Sequence, residues 1–299
     1  MNRKAFYLLF LLFVIIRQNL YAEDVGGIKK NGVIVHFEMA LRTAAKEVAD
    51  LYPELKAELE KTIGWRIDFI PTILLIKNRK TFQRVAGSNL IVAYAVPRRN
   101  LIVIDYSKMK IHPFTIETTL KHELCHLLLH RYIRSDKLPK WLDEGIAQWV
   151  SDGMAEIIMG NRKSVLNKAI LSGNQIPIKN LTDRFPDDRN SLLLAYEESK
   201  SIVEYIRDKY GDKGVLKVLE HQKNGDRVDE AILKGLSIPF EELERGWLNQ
   251  LKRRITWFSY LSRNLYDILF FIAALLTILG FIKILMKKRS YKDEEWDDQ

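Results

Sequence analysis

The sequence predicts an α+β fold, with a sheet-bearing first lobe, a helical second lobe and a single transmembrane helix at the C-terminal end. Up to about residue 106, short apolar runs bounded by turn residues are typical of strands. From residue 116 to about residue 254, apolar residues recur at helical spacing. Residues 268–282 then form an uninterrupted apolar run. This order predicts a small mixed sheet on one side of a cleft and helices on the other.

The first lobe is predicted to contain four strands and one long helix. The helix covers Leu41–Ile63, is interrupted by Pro53 and ends at Gly64. The predicted strands are Val33–Met39, Thr72–Ile76, Leu90–Val96 and Leu101–Tyr106. The last two strands are separated by a short segment with a proline, which favours a hairpin.

The second lobe begins with a helix that follows Thr115. Thr115 fits an N-cap, and Glu117 is an acidic residue in the first turn. The apolar face of this helix is formed by Leu120, Leu124, Leu127 and Leu128. A second helix is expected to start at Pro139, which suits a first helical turn. Later helices are predicted at Ser191–Tyr210, Gly214–His221, Val228–Lys234 and Glu241–Arg254.

Two imidazoles and two carboxylates occur on the first two of these helices at the spacing of a metal site. His122 and His126 are four residues apart, so both lie on one face of the helix and can bind a single ion. Glu144, on the next helix, supplies a third ligand. Two His and one Glu form an established ligand set for catalytic zinc, which keeps its fourth position for water. With Glu123 beside the ion as a candidate base, the pattern predicts a zinc hydrolase.

Three polar neighbours of the motif have interpretations of their own. His130 lies too far along the helix from His122 to bind the same ion, so we expect it either to support a ligand or to be solvated. Asp143 points about 100° away from Glu144 around its helix, which favours a solvated or capping carboxylate. Gln148 either orients a ligand imidazole or is a polar surface residue.

Three small residues near the motif are interpreted as packing positions. Gly145 and Ala147 either let the two metal-binding helices approach each other closely or serve packing alone. Cys125, the only cysteine of the chain, is expected to face the core. A lone cysteine excludes an internal disulfide framework, so the fold must rely on its apolar core.

The motif HELCH, followed by WLDEGIAQW, resembles the gluzincin metallopeptidases, and most closely the peptidase MA-like group, whose second motif reads WLxEGxA. The likeness runs from about residue 32 to residue 254. It includes Ala195-Tyr196-Glu197-Glu198-Ser199 near the start of a later helix and Arg207-Asp208-Lys209-Tyr210-Gly211 at its end. The resemblance implies a zincin-like, two-lobed metallopeptidase fold.

The resemblance also implies roles for the residues of the motif. His122, His126 and Glu144 would bind zinc, and Glu123 would be the general base that accepts a proton from the metal-bound water. Tyr196 is either the donor that stabilises the oxyanion or a core tyrosine.

The resemblance further draws attention to Asn89–Val96. In the family, the substrate lies as an added strand along an edge of the sheet. Asn89–Val96 is either that edge strand or a plain internal strand.

Both ends of the chain predict export and membrane anchoring. Residues 1–22 have the basic start and the apolar run of a signal peptide, with cleavage expected after Ala22, although Leu20 is larger than the residue favoured there. Basic residues that follow the C-terminal apolar run belong in the cytoplasm. The expected segments are a signal peptide at 1–22, a peptidase domain at 23–255, a juxtamembrane segment at 256–267, a transmembrane helix at 268–286 and a cytoplasmic tail at 287–299. The domain would then lie outside the cytoplasm, periplasmic or extracellular.

Composition limits the remaining function classes. With 299 residues and 47% hydrophobic residues, the chain can bury a substantial core. Its net charge of +9 is spread along the chain rather than clustered with aromatic residues, which argues against a nucleic-acid partner and fits a surface beside an anionic bilayer.

The sequence therefore predicts a membrane-anchored metallopeptidase with Zn²⁺ as its cofactor. Its expected partners are a peptide or protein substrate and the lipid bilayer, and no obligate protein partner can be inferred. The GxMEN motif that binds a substrate N-terminus in some relatives is not evident, which favours an endopeptidase. The alternative is a membrane-tethered pseudopeptidase, in which zinc holds the helices together and the cleft binds a partner.

Overall fold

The computed structural model describes residues 25–109, 111, 114–152, 165–263 and 265–297. The expected signal peptide at 1–22 lies outside these described residues. The chain divides into two compact units, with the boundary between Trp247 and Leu248.

A five-stranded mixed sheet forms the first half of the larger unit. Its strands are β1 (Val25–Lys30), β2 (Val33–Glu38), β3 (Thr72–Ile76), β4 (Ala93–Val96) and β5 (Leu101–Asp105). The spatial order is β1-β2-β3-β5-β4, with β2, β3 and β5 parallel and the two edge strands antiparallel to their neighbours. The predicted mixed sheet and the hairpin of β4 and β5 are confirmed, and β4 is an edge strand.

Two helices accompany the sheet, and one of them was not predicted. The long helix α1 (Arg42–Ile63) contains Pro53 and ends at Gly64, whose φ of 80° is a conformation that glycine adopts readily. The short helix α2 (Arg79–Ala86) lies between β3 and β4 and is capped by the side chain of Asn78.

Arg79 at the start of α2 fixes the segment that leads into β4. Its guanidinium donates hydrogen bonds to the carbonyl oxygens of Asn89 and Ile91, at 2.7 and 2.8 Å. The same group pairs with the buried carboxylate of Asp105 at 2.9 Å. A charge-assisted pair at this depth holds the approach to the edge strand against the end of β5.

Two helices that follow the sheet carry the predicted motif. They are α3 (Ile116–Tyr132) and α4 (Lys140–Ser151). Thr115 caps α3 as predicted, because its side chain accepts a hydrogen bond from the backbone N–H of Thr118. Both helices are largely buried, which is why the polar residues they carry face one another or a cavity rather than bulk water.

The remaining helices are α5 (Val165–Ser172), α6 (Arg189–Lys223), α7 (Val228–Leu236), α8 (Phe240–Arg263) and α9 (Leu265–Asp297). The two helices predicted on either side of Gly211 form one helical run that is kinked there, where the backbone has a φ of 72°. Helix α6 packs against both α4 and α7. The helical second half is thus confirmed, and α5 lies within it, although no bounds were predicted for this helix.

The smaller unit contains the apolar helix α9. Its segment Leu265–Ile284 has a mean hydropathy of 2.4 and is long and apolar enough to cross a membrane, by length and composition. It overlaps the predicted transmembrane segment.

Candidate metal centre

The structure brings the three predicted metal ligands together. The Nε2 atoms of His122 and His126 lie 3.1 Å apart, and they lie 3.5 and 3.6 Å from the Oε2 atom of Glu144. Four residues separate the two imidazoles on α3, and α4 presents the carboxylate from the neighbouring helix. All three residues are buried away from bulk water, because His122 and Glu144 have 0% exposure and His126 has 5%.

These separations fit a tetrahedral zinc ion. Zinc binds imidazole nitrogen and carboxylate oxygen at about 2.0–2.2 Å, so that two ligands of a tetrahedral ion lie about 3.3 Å apart. The three donor atoms already have that spacing, and two nitrogens with one oxygen match the preference of zinc. Within the part of the chain that the structure describes, this is the group of His, Cys, Asp and Glu side chains that satisfies the geometry of a metal site.

Glu123 is adjacent to the first ligand on the same helix and is completely buried. Its position in the chain places it beside the metal ligands of α3 but not among them. A carboxylate so placed has the chemistry of a proton acceptor next to a bound ion.

Asp143 is neither solvated nor a cap, and the expectation for it was wrong. It is 4% exposed, and its Oδ1 lies 2.7 Å from Nδ1 of His126. Its other oxygen, Oδ2, lies 3.1 Å from Nε2 of His130. Asp143 does point away from Glu144, but its side chain contacts His126 on α3 at Nδ1, the ring nitrogen on the side opposite to Nε2. This carboxylate fixes which nitrogen of His126 faces the other two donor atoms, and His130 contacts the same carboxylate, which fits the supporting role among its two predicted ones.

The ionisation of Asp143 follows from these contacts. Burial by itself raises the pKa of a carboxyl group, but the charge of His126 and the hydrogen bonds from His126 and His130 outweigh it. The net result is a pKa held below the usual value, so Asp143 remains an anion behind its imidazole.

His122 and Gln148 have partners of a different kind. Ser151 Oγ lies 3.5 Å from Nδ1 of His122 and donates a hydrogen bond to the carbonyl oxygen of Ala147. Gln148 is fully buried, and its side chain donates to the carbonyl oxygen of Tyr196 at 3.0 Å. Gln148 therefore ties α4 to α6, and both of its predicted interpretations were wrong.

Gly145 also makes contact with α6 rather than with α3. A Cβ atom at this position would lie 2.3 Å from the carbonyl oxygen of Ser199 and 2.6 Å from Cγ2 of Val203. Of the two interpretations of this glycine, close approach of α3 and α4 or packing alone, the contacts with α6 fit packing. The glycine lets α4 rest on α6, and α6 in turn supports the helix that carries Glu144.

The ion pair of Lys140 with Glu144 was not predicted from the sequence. The ammonium group of Lys140 pairs with the carboxylate of Glu144, one turn further along α4. Burial by itself raises the pKa of Glu144. The charges of Lys140 and His126 lower it by more than burial raises it, so the pKa lies well below the usual value. The i, i+4 spacing of a basic and an acidic residue was the available signal.

A cavity of about 510 Å³ opens beside the centre. Its walls include β4, Arg98, His126, His130 and Tyr196. Tyr196 is 5% exposed and packs edge-on against the ring of Phe185, with ring centres 5.1 Å apart.

A second cavity of about 570 Å³ adjoins the first. The two share four lining residues, namely His130, Ser135, Lys140 and Asp143. The second continues towards the start of α7 at Arg227 and Val228. We call the two adjoining cavities together the cleft, and its first cavity reaches the metal centre at His126.

Cys125 lies between the two ligand positions but faces the interior, as predicted. It is 0% exposed, and burial raises the pKa of its thiol. A protonated, inaccessible thiol has no part in the chemistry of the site.

Comparison with known proteins gives one family match. The family model described as the Peptidase MA superfamily matches residues 83–253, which include both motif helices and β4. No curated protein sequence matches the chain significantly.

Two solved structures are similar in part. A mutant of an M1 zinc metallopeptidase from Deinococcus radiodurans, bound to a Tyr-Ser-Ala substrate, is 12% identical with a TM-score of 0.37, and the match covers 76% of this chain and 51% of that one. Aminopeptidase A from Legionella pneumophila, in complex with aspartic acid, is 14% identical with a TM-score of 0.41, and the match covers 75% and 27%. The chain thus spans about half or less of the length of these proteins.

Proposed function

The chain belongs to the peptidase MA superfamily, and from that premise we propose that it is a zinc-dependent peptidase anchored in a membrane. The observation that carries the proposal is the triangle of buried donor atoms from His122, His126 and Glu144, at separations of 3.1–3.6 Å, with Glu123 beside it. A site built only to hold the helices together needs no base, and it usually closes the fourth position with another protein ligand. The arrangement therefore favours peptide hydrolysis over the pseudopeptidase alternative.

Zinc, when bound, supplies Lewis acidity, which activates water and polarises the carbonyl of the scissile peptide bond. Glu123 accepts the proton of the attacking water and passes it to the leaving amine. Asp143 keeps His126 in the tautomer and orientation that ligation requires. Tyr196 lines the same cavity as His126 and is proposed as the donor that stabilises the developing oxyanion.

The edge strand β4 is the proposed platform for the substrate backbone. One side of β4 pairs with β5, and its residues line the cavity beside the metal centre. An extended peptide that adds to a sheet edge gains main-chain hydrogen bonds, while its side chains enter adjacent pockets. The anchoring of the preceding segment by Arg79 supports this role, because it fixes where the edge begins.

We further propose that the enzyme is an endopeptidase. The two adjoining cavities run from β4 to the start of α7, and His126 of the metal centre lines the first of them. A cleft that continues past the reacting bond suits a chain cleaved in its interior, whereas an exopeptidase needs a boundary for one terminus.

The membrane attachment is proposed from helix α9 and the flanking sequence. Its segment Leu265–Ile284 is apolar enough to cross a bilayer, and a basic cluster, Lys287, Lys288 and Arg289, follows it. We propose that the peptidase domain at 23–255 lies outside the cytoplasm and that residues 287–299 lie inside. Protease treatment of intact cells tests this orientation: the domain is expected to be degraded while a tag at residue 299 stays protected.

The test of catalysis uses the full chain purified in detergent and loaded with zinc. Glu123→Gln is expected to keep about one equivalent of zinc and to lose at least about 100-fold in peptide turnover, since a positioned base contributes 10²–10⁴-fold. Glu117→Gln, at an exposed position on the same helix, is the matched control and should retain both properties.

Full activity in Glu123→Gln would overturn the mechanism. Stoichiometric zinc in the native chain without turnover of any peptide in a diverse library would favour the pseudopeptidase. Elemental analysis with less than about half an equivalent of zinc after loading would exclude both.

A further inference from the structure

We propose that the cleft beside the metal centre selects peptide segments that carry carboxylate groups, and that Arg98 and Arg227 are the residues that recognise them. This proposal rests on the peptidase function above and names the substrate class of the same site. It starts from the charges of the described residues that line the two adjoining cavities.

The first cavity contains Arg98 at the end of the edge strand. Arg98 follows β4 by two residues and is exposed, and within the described residues it has no ion-pair partner. A peptide held along β4 therefore passes a guanidinium group as it leaves the strand. Guanidinium binds a carboxylate through two parallel hydrogen bonds, a geometry that no other side chain offers.

The acidic side chain of this first cavity already has partners. Asp143 contacts the imidazoles of His126 and His130 through its two oxygens. The other basic residue of the cavity, Lys140, pairs with Glu144. Among the described lining residues, Arg98 is thus the charge that remains for a ligand.

The second cavity repeats the pattern near α7. Arg227 precedes the first residue of α7, is exposed and has no ion-pair partner within the described part of the chain. Lys137 adds a second basic group, and Asp183 opposes them. Of the other two acids of this cavity, Asp143 has the imidazole partners described above, and Asp136 is held by two hydrogen bonds from Arg134 at 3.0 and 3.1 Å.

The net result is a cleft whose uncommitted charge is positive at two separate places. Opposite charge in a groove raises the local concentration of an acidic ligand and strengthens its binding, while like charge repels a basic one. Because both arginines are exposed, each contact is expected to change affinity only a few-fold, and less at high salt.

The experiment measures binding rather than turnover. The zinc-loaded, full-length Glu123→Gln protein in detergent is titrated into fluorescent peptides of one length that differ in one internal residue, Glu, Gln or Lys, with amidated C-termini. The Glu peptide is expected to bind about fivefold more tightly than the Gln peptide, with the Lys peptide weakest. A fourth peptide, with internal Gln and a free C-terminus, separates the two sources of a carboxylate.

The variants Arg98→Glu and Arg227→Glu, each in the Glu123→Gln protein, identify the residues. Each is expected to reduce the preference for Glu over Gln by about threefold or more, and the double variant to reverse it. Arg99→Glu is the matched control, because Arg99 neighbours Arg98 but does not line either cavity. It should preserve the preference.

Tight binding of the internal Glu peptide supports recognition of an acidic side chain, and tight binding of the free C-terminus supports recognition of a chain end. Equal binding of the Glu, Gln and Lys peptides, or a preference that survives the double variant, would overturn the proposal. Failure of the peptidase function is a separate outcome, since it would appear as absent turnover in the native protein whatever the peptides bind.

Discussion

Helices α4 and α6 each bury a glutamate completely, yet the two carboxylates ionise in opposite ways. Glu144 on α4 and Glu198 on α6 both have 0% exposure. Lys140 and the two ligand imidazoles lie next to Glu144, and they hold its pKa well below the usual value. Glu198 has the backbone N–H of Ile176 as its hydrogen-bond donor, at 3.0 Å.

Burial raises the pKa of Glu198 to about 8, and the charges of Glu244 and Glu197 add to the effect, while no charge of a described basic residue is among the causes that lower it. These two neighbours also accept backbone hydrogen bonds. Glu197 accepts one from the N–H of Leu166 at 2.8 Å, and Glu244 accepts one from the N–H of Ile178 at 3.0 Å. The three carboxylates of Glu197, Glu198 and Glu244 thus bind backbone N–H groups between residues 165 and 178 and hold that segment in place. Burial alone does not make a reactive carboxylate, and the cations around it decide whether it is an anion ready to bind a metal.

Removal of the charged carboxylate should have the largest effect. Glu144→Ala takes one of three ligands from the ion and leaves Lys140 beside the gap, so bound zinc is expected to fall below about half an equivalent per chain. Elemental analysis of the purified protein checks this. Glu198→Ala, the same change on the other helix, should leave the zinc content unchanged, and a loss of zinc there would erase the distinction between the two clusters.

The next effect concerns Asp143, the carboxylate that contacts Nδ1 of His126. Asp143→Asn keeps the size of the side chain but removes the charge that supports His126, so zinc affinity is expected to fall about 10- to 100-fold. Competition with a chromogenic chelator measures it. Asp136→Asn, at an exposed aspartate bonded to Arg134, should have no effect. Equal affinities for Asp143→Asn and the native protein would show that the contact merely packs.

A third change tests how the two helices meet. Gly145→Ala places a methyl group against the backbone of Ser199, which cannot yield as a flexible side chain would. We expect a loss of about 1–3 kcal/mol in the free energy of unfolding, measured by chemical denaturation. Gly27→Ala is the control, because a Cβ there meets atoms of His36 no closer than 3.4 Å. A native stability in Gly145→Ala would mean that α4 shifts freely on α6.

The last prediction concerns the pH dependence of stability, which leaves the metal centre unchanged. Glu198 has a pKa of about 8 in the fold, whereas an unfolded glutamate titrates near ~4.3. Between these values the folded protein keeps a proton that the unfolded chain releases. The stability from this group is therefore fully present below pH ~4.3 and is lost as the pH rises to about 8.

Glu198→Gln mimics the protonated form at every pH. Its melting temperature minus that of the native protein should increase as the pH rises from 5 to 9. The exposed Glu117→Gln serves as control and should give a constant difference. A constant difference for Glu198→Gln as well would mean that the buried carboxyl is solvated.

The parts of the site that depend on local spacing were predictable from the sequence. The imidazoles of His122 and His126 share a helix face because of a four-residue interval, and Glu144 was found through its surrounding motif. The role of Asp143 was not predictable from its own helix, because its partners lie 13 and 17 residues away on α3. The helix against which Gly145 packs was not predictable for the same reason, since α6 follows it by more than 40 residues.

The fold shows the same division between local and distant causes. Helix α1 and strand β3 have clear apolar patterns and were predicted nearly to the residue. Strand β1, with the sequence VGGIKK, has little apolar content and exists because β2 pairs with it along six residues. Helix α2 is mostly polar, although Asn78 and Gly87 at its ends were signals that could have identified it.

The single thiol of the chain provides an internal reporter of this architecture. Cys125 is buried on α3 between the two imidazoles, and its pKa is raised, so a thiol reagent added to the folded protein has nothing to modify. Labelling requires α3 to open, and its rate therefore measures how often the helix separates from its neighbours. Bound zinc should slow the labelling, although the thiol takes no part in the chemistry of the site. The modification rate of this one sulfur atom would therefore report whether the metal is bound.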